Sequence, residues 1–518
     1  MDIVHAVLGL LAACIGIAVL ARLWQLPYAV LLIMVGMVLA FLPWRPNITL
    51  APDVALAFFL PPLLMASAFR TDWRAFRRAI RPILLLAVGA VIFTSFAVAY
   101  VARLMLPDIP WAAAIALGAI VAPPDAVAAA AVLQRLHLPR GLVTVLEGES
   151  LINDGSALVL YRIAVTAALV GATAPPWEVA GTFLLVGAGG VAVGWAFARA
   201  MLWLTPRLHD TLLETSLSFV VCYASFLAAE ALHVSGVLAV VTTGLLVGQH
   251  ASVLSARTRL ESRTVWEFVE FILTSLIFVL IGLSLNDTLG RLEGWGFWQL
   301  LGLAAAVSAT LIVGRFLWVF PSAYLTAWVF RQGLPPWRYL VIICWAGMRG
   351  VVSLAAALAL PLDFPQRDII VFLAFCAILS TLVLQGTTLE WVIKRLKVEQ
   401  KPHPGGLDPL EARARHVVAQ AQLAALEARA RDVIDGPIAA DMLGEFRDRA
   451  GHLDRAARGG GAALAERVAR RRIRLDVLEV ARHALLDHHR ATDLHDEALM
   501  KLTQELDLEQ LRLDRALG

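Results

Sequence analysis

Ionisable and polar side chains crowd the nine-residue run EGESLINDG, which lies between apolar stretches of the chain. Its polar side chains are Glu147, Glu149, Ser150, Asn153 and Asp154. An ionisable side chain at the centre of a bilayer costs about 2.5–3.5 kcal/mol, so such residues mark ion or proton pathways. At helical spacing the first, third and fifth of them share one face, and the other two share a neighbouring face. Carboxylate and hydroxyl oxygens in this arrangement can bind protons or a small, hard cation.

Two other apolar segments carry interruptions that a helix cannot absorb. Pro123 and Pro124 remove two backbone donors beside Asp125, and Gly347 and Gly350 flank a charged arginine. Within a membrane, opened backbone is tolerated only where it is buried in protein or lines a wet cavity. We therefore expect both helices to break near the middle of the membrane, next to the carboxylate run.

The arginine between the two glycines, Arg349, requires an anion at membrane depth. The surplus of anions lies in the carboxylate run, so we pair Arg349 with Glu147 or Glu149. The two interrupted helices are an odd number of passes apart and run in opposite directions. This predicts inverted-topology repeats with two broken helices that cross, where Asp125 and Arg349 neutralise the helix ends.

The composition places these residues in an all-α membrane protein. The 518 residues have a mean hydropathy of +0.72 and 59% hydrophobic residues, but only 16% charged residues, against about 25% in soluble domains. A spanning helix needs about 20 apolar residues. We predict about 13 spans, near residues 3–22, 27–42, 52–69, 82–106, 111–134, 142–170, 178–203, 212–232, 234–250, 264–286, 297–329, 338–361 and 367–393.

The arginines predict the orientation of these spans. If the N-terminus is outside, the inner loops hold 15 arginines and the outer loops hold 4. We therefore expect the N-terminus outside and the C-terminus in the cytoplasm. A linker at 398–406, which contains the breaker cluster Lys401–Gly406, then separates a membrane domain, 1–397, from a cytoplasmic tail, 407–518, of about three helices. The tail is expected to modulate transport without carrying the ion.

Five motifs occur in one order along the chain: FLPPLL at Phe59–Leu64, APPDAVAA at Ala122–Ala129, EGESLINDG at Glu147–Gly155, SGVLAVVTTGLLVG at Ser235–Gly248 and GMRGVVSLA at Gly347–Ala355. With these motifs, residues 5–395 resemble the bacterial sodium/proton antiporters of the first monovalent cation:proton antiporter family. That family includes NhaP-type carriers and is related to animal and plant Na⁺/H⁺ exchangers.

The resemblance implies a role for each residue of the run. It assigns ion binding to Asp154, with Asn153 as its partner, Ser150 as the hydroxyl facing the ion and Glu149 as a nearby acid. It also implies a buried ion pair between Glu147 and Arg349, and a homodimer with a scaffold and a moving core.

The sequence departs from the family pattern in three places. Pro124 stands where many members have threonine, which leaves only backbone carbonyls there. Met65 and Ala66 stand where many members place an acid, and Thr274 stands where an asparagine is common.

The expected function is secondary active antiport of a monovalent cation, Na⁺ or Li⁺, against H⁺, serving pH and sodium homeostasis. Oxygens of Asp154 and Ser150 would bind the cation, and exchange would be electroneutral. A K⁺/H⁺ antiporter is the main alternative, and a gated cation channel is a further one. No enzymatic site, cofactor or nucleic-acid partner is expected; the partners are the ions, the lipid bilayer of the cell (inner) membrane and a second copy.

Overall fold

The computed structural model of the chain is all-helical in the part that it describes. Two compact units divide the chain at Met1–Gln400 and Lys401–Gly518. The structure describes every residue except 1, 25–27, 42–51, 126–128, 130–132, 134–135, 137, 172–174, 293, 332, 399–408, 432–435, 459–460, 492–494 and 516–518. The predicted linker therefore lies outside the described residues, apart from Val398.

The first unit consists of helices with short connections. In chain order these are α1 (Asp2–Trp24), α2 (Tyr28–Ala40), α3 (Pro52–Arg70), α4 (Trp73–Arg78), α5 (Ile80–Leu84), a π-helical segment (Leu85–Ala90), α6 (Val91–Met105), α7 (Trp111–Val121), α8 (Arg140–Val170), α9 (Pro176–Leu208), α10 (Thr211–Ala231), α11 (Gly236–Gln249), α12 (Ala256–Gly290), α13 (Phe297–Val329), α14 (Trp337–Trp345), α15 (Val351–Leu358) and α16 (Arg367–Leu396).

Many of these helices suit a bilayer. Six described helical stretches are long and apolar enough to cross it: Ile80–Met105, Trp177–Leu208, Thr211–Ala231, Ala256–Gly290, Phe297–Val329 and Arg367–Leu396. Several shorter apolar helices accompany them. The chain is thus a multi-pass membrane protein, while the number thirteen and the inverted repeats stay predictions.

Both predicted helix interruptions are present. Helix α7 ends at Val121, and the backbone from Ala122 to Asp125 is not helical. Helices α14 and α15 are separated by non-helical backbone at Gly347–Gly350. Most of the second half of the predicted fifth span lies outside the described residues. In α7, 8 of the 11 residues are buried, so its break lies inside the protein, as opened backbone in a membrane requires.

The predicted fourth span differs from expectation at its beginning. Two short helices, α4 and α5, precede a π-helical turn at Leu85–Ala90, which continues directly into α6. A π-helical turn leaves carbonyls outside the regular α-helical bonding pattern, and such turns are frequent at functional sites. Here Leu85 O accepts a hydrogen bond from Trp318 Nε1, at 3.0 Å, and Ala87 O accepts one from Ser156 Oγ.

The described residues of the second unit form four helices, where the sequence predicts about three. Its helices are α17 (Pro409–Arg429), α18 (Gly436–Arg458), α19 (Gly461–Ala491) and α20 (Asp496–Arg515). The first two boundaries follow the Gly-Pro and triple-glycine breakers in the sequence. The boundary between α19 and α20 has no such breaker. Helix α20 packs on α19, where Arg482 pairs with Asp507 at 2.5 Å.

Candidate functional site

Helix α8 brings the residues of the carboxylate run to the interior of the first unit. Glu149 is 1% exposed, Asn153 is fully buried and Asp154 is 7% exposed. Ser150 is half-buried, whereas Glu147 is exposed. Four of the five polar side chains predicted for the site therefore face protein, and Glu147 does not.

Asn153 connects α8 to the opened backbone after α7. Its Nδ2 donates a hydrogen bond of 2.7 Å to the carbonyl oxygen of Pro124. Its own Oδ1 is buried and has no hydrogen-bond partner. A buried amide oxygen without a donor is an expensive arrangement unless another group satisfies it. The site therefore offers an unsatisfied oxygen beside the carboxylate of Asp154.

The two broken segments contact each other. The backbone N–H of Asp125 donates to the carbonyl oxygen of Met348 at 2.7 Å. The side chain of Asp125 lies against Gly350, where a Cβ atom would stand 1.7 Å from Asp125 Oδ2. Only a residue without a side chain allows this approach. The broken segments that carry Pro123, Pro124 and Gly347 thus contact each other at Asp125, while their crossing within an inverted repeat stays a prediction.

Replacing Gly350 by alanine is expected to disrupt this crossing. The added methyl group would overlap the Asp125 carboxylate, and both backbones would have to move apart. We expect a loss of about 1–3 kcal/mol in stability together with slower exchange. The measurement is the melting midpoint in detergent, followed by exchange in liposomes.

A matched control is Gly181→Ala in α9, where no atom lies within 4 Å of the added Cβ. At an exposed position inside a helix, alanine stabilises the helix more than glycine does. This variant should therefore melt at or above the wild-type temperature. Equal midpoints for the two variants would contradict the close approach at Gly350.

The buried ion pair differs from the sequence prediction. Arg315, in the middle of α13, donates from Nη1 and Nη2 to the two carboxylate oxygens of Glu149, at 2.6 and 2.7 Å. Its Nε donates to Ile343 O at the end of α14, at 3.0 Å. Both side chains are almost fully enclosed. A two-bonded arginine–carboxylate pair of this kind fixes the relative position of the helices that carry it.

The predicted pair between Glu147 and Arg349 is wrong. Arg349 is 1% exposed, whereas Glu147 points away from the core. Nη1 of Arg349 donates to Gly347 O at 3.1 Å, and its Nε has no hydrogen-bond partner. Glu149, the other predicted partner, has both oxygens bonded to Arg315. No described carboxylate forms a salt bridge with Arg349.

Arg315 is the site residue that the sequence analysis missed. It stands inside the long apolar stretch Phe297–Val329, so its depth alone should have marked it. The same rule that selected Arg349 selects Arg315, and choosing between them requires knowing which helix faces α8.

A small cavity lies where α8 meets both breaks. It leaves about 10 Å³ for the centre of a water molecule, which is room for roughly one water. Its lining residues are Pro124, Asp125, Ala129, Leu146, Glu149, Ser150, Arg315 and Ala346. The lining residues thus come from both broken segments, from the Glu149–Arg315 ion pair and from Ser150 of α8.

Comparison with known proteins assigns this architecture. Residues 9–395 match the family model described as sodium/hydrogen exchanger, transmembrane. The chain is 33% identical over 401 residues to a Na⁺/H⁺ antiporter of Aphanothece halophytica, covering 74% of this chain and 73% of that protein. It is 32% identical over 418 residues to a sodium, potassium, lithium and rubidium/H⁺ antiporter of Bacillus pumilus, covering 75% of this chain and 61% of that protein.

A solved structure has the same fold. The sodium proton antiporter MjNhaP1 from Methanocaldococcus jannaschii superposes with a TM-score of 0.61 at 19% identity, covering 76% of this chain and 99% of that one. At this identity the likeness concerns the fold alone. The family match, which extends over most of the chain, concerns the activity class. The chain therefore belongs to the sodium/hydrogen exchanger family as a bacterial NhaP-type cation/proton antiporter, a transporter and not an enzyme.

Proposed function

We propose that the chain exchanges Na⁺ for H⁺ across the membrane, with Asp154 as the single carboxylate that binds either ion. The observation that carries this proposal is the burial of Asp154 next to Asn153, whose side chain reaches the opened backbone at Pro124. A buried carboxylate is neutral when it holds a proton and nearly neutral when it holds a monovalent cation. Bare, it is a charge in a low-dielectric interior, which opposes movement of the empty carrier.

The oxygens around Asp154 suit a small, hard cation. We assign its ligands to the Asp154 carboxylate, the Ser150 hydroxyl and backbone carbonyls at the break, with Asn153 Oδ1 as a further oxygen. Alternating access then exposes the same set of ligands first to one side of the membrane and then to the other, with either the proton or the cation bound.

The exchange is proposed to be electroneutral, one cation for one proton. Both oxygens of Glu149 are bonded to Arg315, so Glu149 is not available as a second exchanging acid. Purified protein in liposomes should therefore show the same initial Na⁺ uptake at fixed ΔpH with and without a valinomycin-set potential. A second transported proton would add about 2.3 kcal/mol per 100 mV to the cycle.

A several-fold acceleration of uptake by either sign of the potential would contradict this stoichiometry. The same measurement on Glu149→Gln would then tell whether Glu149 is the second acid, since its potential dependence should disappear.

Na⁺ is the cation that we propose, because both relatives described above are named for it. Of the two relatives, one is named for Na⁺ alone and the other for sodium, potassium, lithium and rubidium. In everted vesicles, adding NaCl or LiCl should collapse a preformed ΔpH more strongly than adding KCl. An equal or larger response to KCl would favour K⁺/H⁺ antiport instead.

We also propose the setting of this exchange: the cell (inner) membrane, with the N-terminus outside and the tail in the cytoplasm, in a homodimer that serves pH and sodium homeostasis. The arginine-rich inner loops support the orientation. Labelling of single cysteines placed at Asp108 and in the tail, from outside intact cells, tests it: only the first should react.

A further inference from the structure

Six exposed arginines lie in two connections of the membrane unit. We call this set the arginine patch; its members are Arg74, Arg77, Arg78 and Arg81 in α4 and α5, Arg331 between α13 and α14, and Arg338 in the first turn of α14. None of them forms an ion pair with a described residue. The sequence explains this, because residues 73–107 and 294–362 contain no aspartate or glutamate.

The two connections meet. The guanidinium of Arg81 lies over the ring of Phe330, 4.3 Å from its centroid, and Arg331 follows directly in the chain. Arg81 and Arg331, from separate parts of the sequence, are thus brought near each other. Like charges held together without counter-ions repel one another, so the arrangement favours an anion between them.

Three other arginines near helix ends are neutralised within the protein. Arg70 makes two hydrogen bonds to Glu270, at 2.6 and 3.1 Å. Arg257 and Arg263 on α12 each pair with a glutamate one turn later, at 2.7 and 2.9 Å. Arg199 and Arg395 are exposed and form no ion pair with a described residue either, but each stands alone in its part of the sequence. The arginine patch differs because six such arginines fall in two connections that meet.

Aromatic residues surround the arginine patch. Trp73 stacks on Phe76, and Trp328, Phe330 and Trp337 are 77%, 49% and 53% exposed. Tryptophan is enriched at the level of lipid headgroups, where one end of the ring is wet and the other apolar. A ligand here meets guanidinium groups and exposed aromatic rings together, a combination that is complementary to a phosphate attached to acyl chains.

We propose that the arginine patch binds the headgroup of an anionic phospholipid, with its phosphate between Arg81 and Arg331. Arginine is suited to phosphate because its planar guanidinium donates two parallel hydrogen bonds. The other four arginines supply longer-range attraction to the same headgroup and its neighbours.

The bound lipid would brace elements that hold the ion site. Helix α5 continues into the π-helical segment, whose Ala87 carbonyl accepts a hydrogen bond from Ser156, two residues from Asp154. The other side of the arginine patch follows α13, which carries Arg315. Lipid binding would therefore stabilise the packing of α5 and its π-helical extension against α13. Lipid binding can be measured without ion transport, so its outcome is independent of the proposed Na⁺ exchange.

The test is a lipid titration of delipidated, full-length protein in detergent. Native mass spectrometry counts bound dioleoyl-phosphatidylglycerol, and dioleoyl-phosphatidylcholine serves as the zwitterionic comparison. Wild type should bind phosphatidylglycerol preferentially and melt at a higher temperature with it. Affinity should fall about fivefold for each arginine removed, in Arg81→Gln, in Arg331→Gln and, more strongly, in the double variant.

The matched control is Arg257→Gln with Arg263→Gln, which removes two exposed arginines that already have glutamate partners. It should bind the lipid as wild type does. The proposal is overturned if the single variants at Arg81 and Arg331 both keep wild-type affinity, or if the control loses as much. It is also overturned if inorganic phosphate at equal ionic strength displaces the lipid, since the arginine patch would then bind a soluble anion.

Discussion

Asp154→Asn is expected to abolish cation/proton exchange while the protein still inserts, folds and purifies. Asparagine has nearly the shape of aspartate but cannot release a proton or neutralise a cation. Asp154 is 7% exposed in the middle of α8, so an asparagine there should keep the packing of the buried side chain while it removes the charge completely. Exchange measured in everted vesicles should fall by at least about tenfold, as expected for a residue on the ion path.

The control for this experiment is Asp108→Asn, in the exposed turn between α6 and α7. It removes the same charge outside the ion site and should leave exchange at the wild-type rate. Normal melting of Asp154→Asn together with retained exchange would remove Asp154 from the centre of the mechanism. Loss of exchange in both variants would show a general charge effect instead.

The sequence was sufficient to locate the broken helices. Consecutive prolines at Pro123 and Pro124 cannot continue a helix, whatever surrounds them, and glycines on either side of Arg349 weaken a helix locally. These are properties of the backbone at single positions. The breaks after Val121 and at Gly347–Gly350 are found where local chemistry requires them.

The sequence was not sufficient to choose the partner of each charge. At about 100° per residue, Glu147 and Glu149 are about 200° apart around α8, and only Glu149 is buried. Asp154 lies two turns after Glu147 on nearly the same face and is nevertheless buried, so burial depends on the position along α8 as well as on the face. Which face turns inward depends on the apolar surfaces of the neighbouring helices. The same dependence concealed Arg315, because its partner is 166 residues away in the chain.

The π-helical turn was also beyond the reach of the hydropathy pattern. It changes the register within an uninterrupted apolar run, and the run LLAVGA reads as ordinary helix. Its cause is tertiary: Trp318 and Ser156 donate to the carbonyls of Leu85 and Ala87 from two other helices. A side chain on another helix cannot be recognised from the local sequence that accepts its hydrogen bond.

Arg315→Met is expected to destabilise the protein by about 3–5 kcal/mol, the usual effect of removing one partner of a buried ion pair. The methionine fills much of the same space, but it leaves Glu149 charged, 1% exposed and without its two charge-assisted hydrogen bonds. Arg349→Met should cost less, because no described carboxylate depends on Arg349. The melting midpoint in detergent, measured side by side for the two variants, gives the order.

The double variant Glu149→Gln with Arg315→Met separates the ion pair from simple packing. Removing both charges eliminates the uncompensated carboxylate, so the double variant should recover most of the stability lost in Arg315→Met. Glu149→Gln alone should again be unstable, since it leaves the buried guanidinium of Arg315 unpaired. If the double variant is as unstable as the sum of the two single variants, the two residues do not act as a pair. In that case the stability of this region comes instead from the hydrogen bond of Arg315 Nε to Ile343 O, which ties α13 to α14.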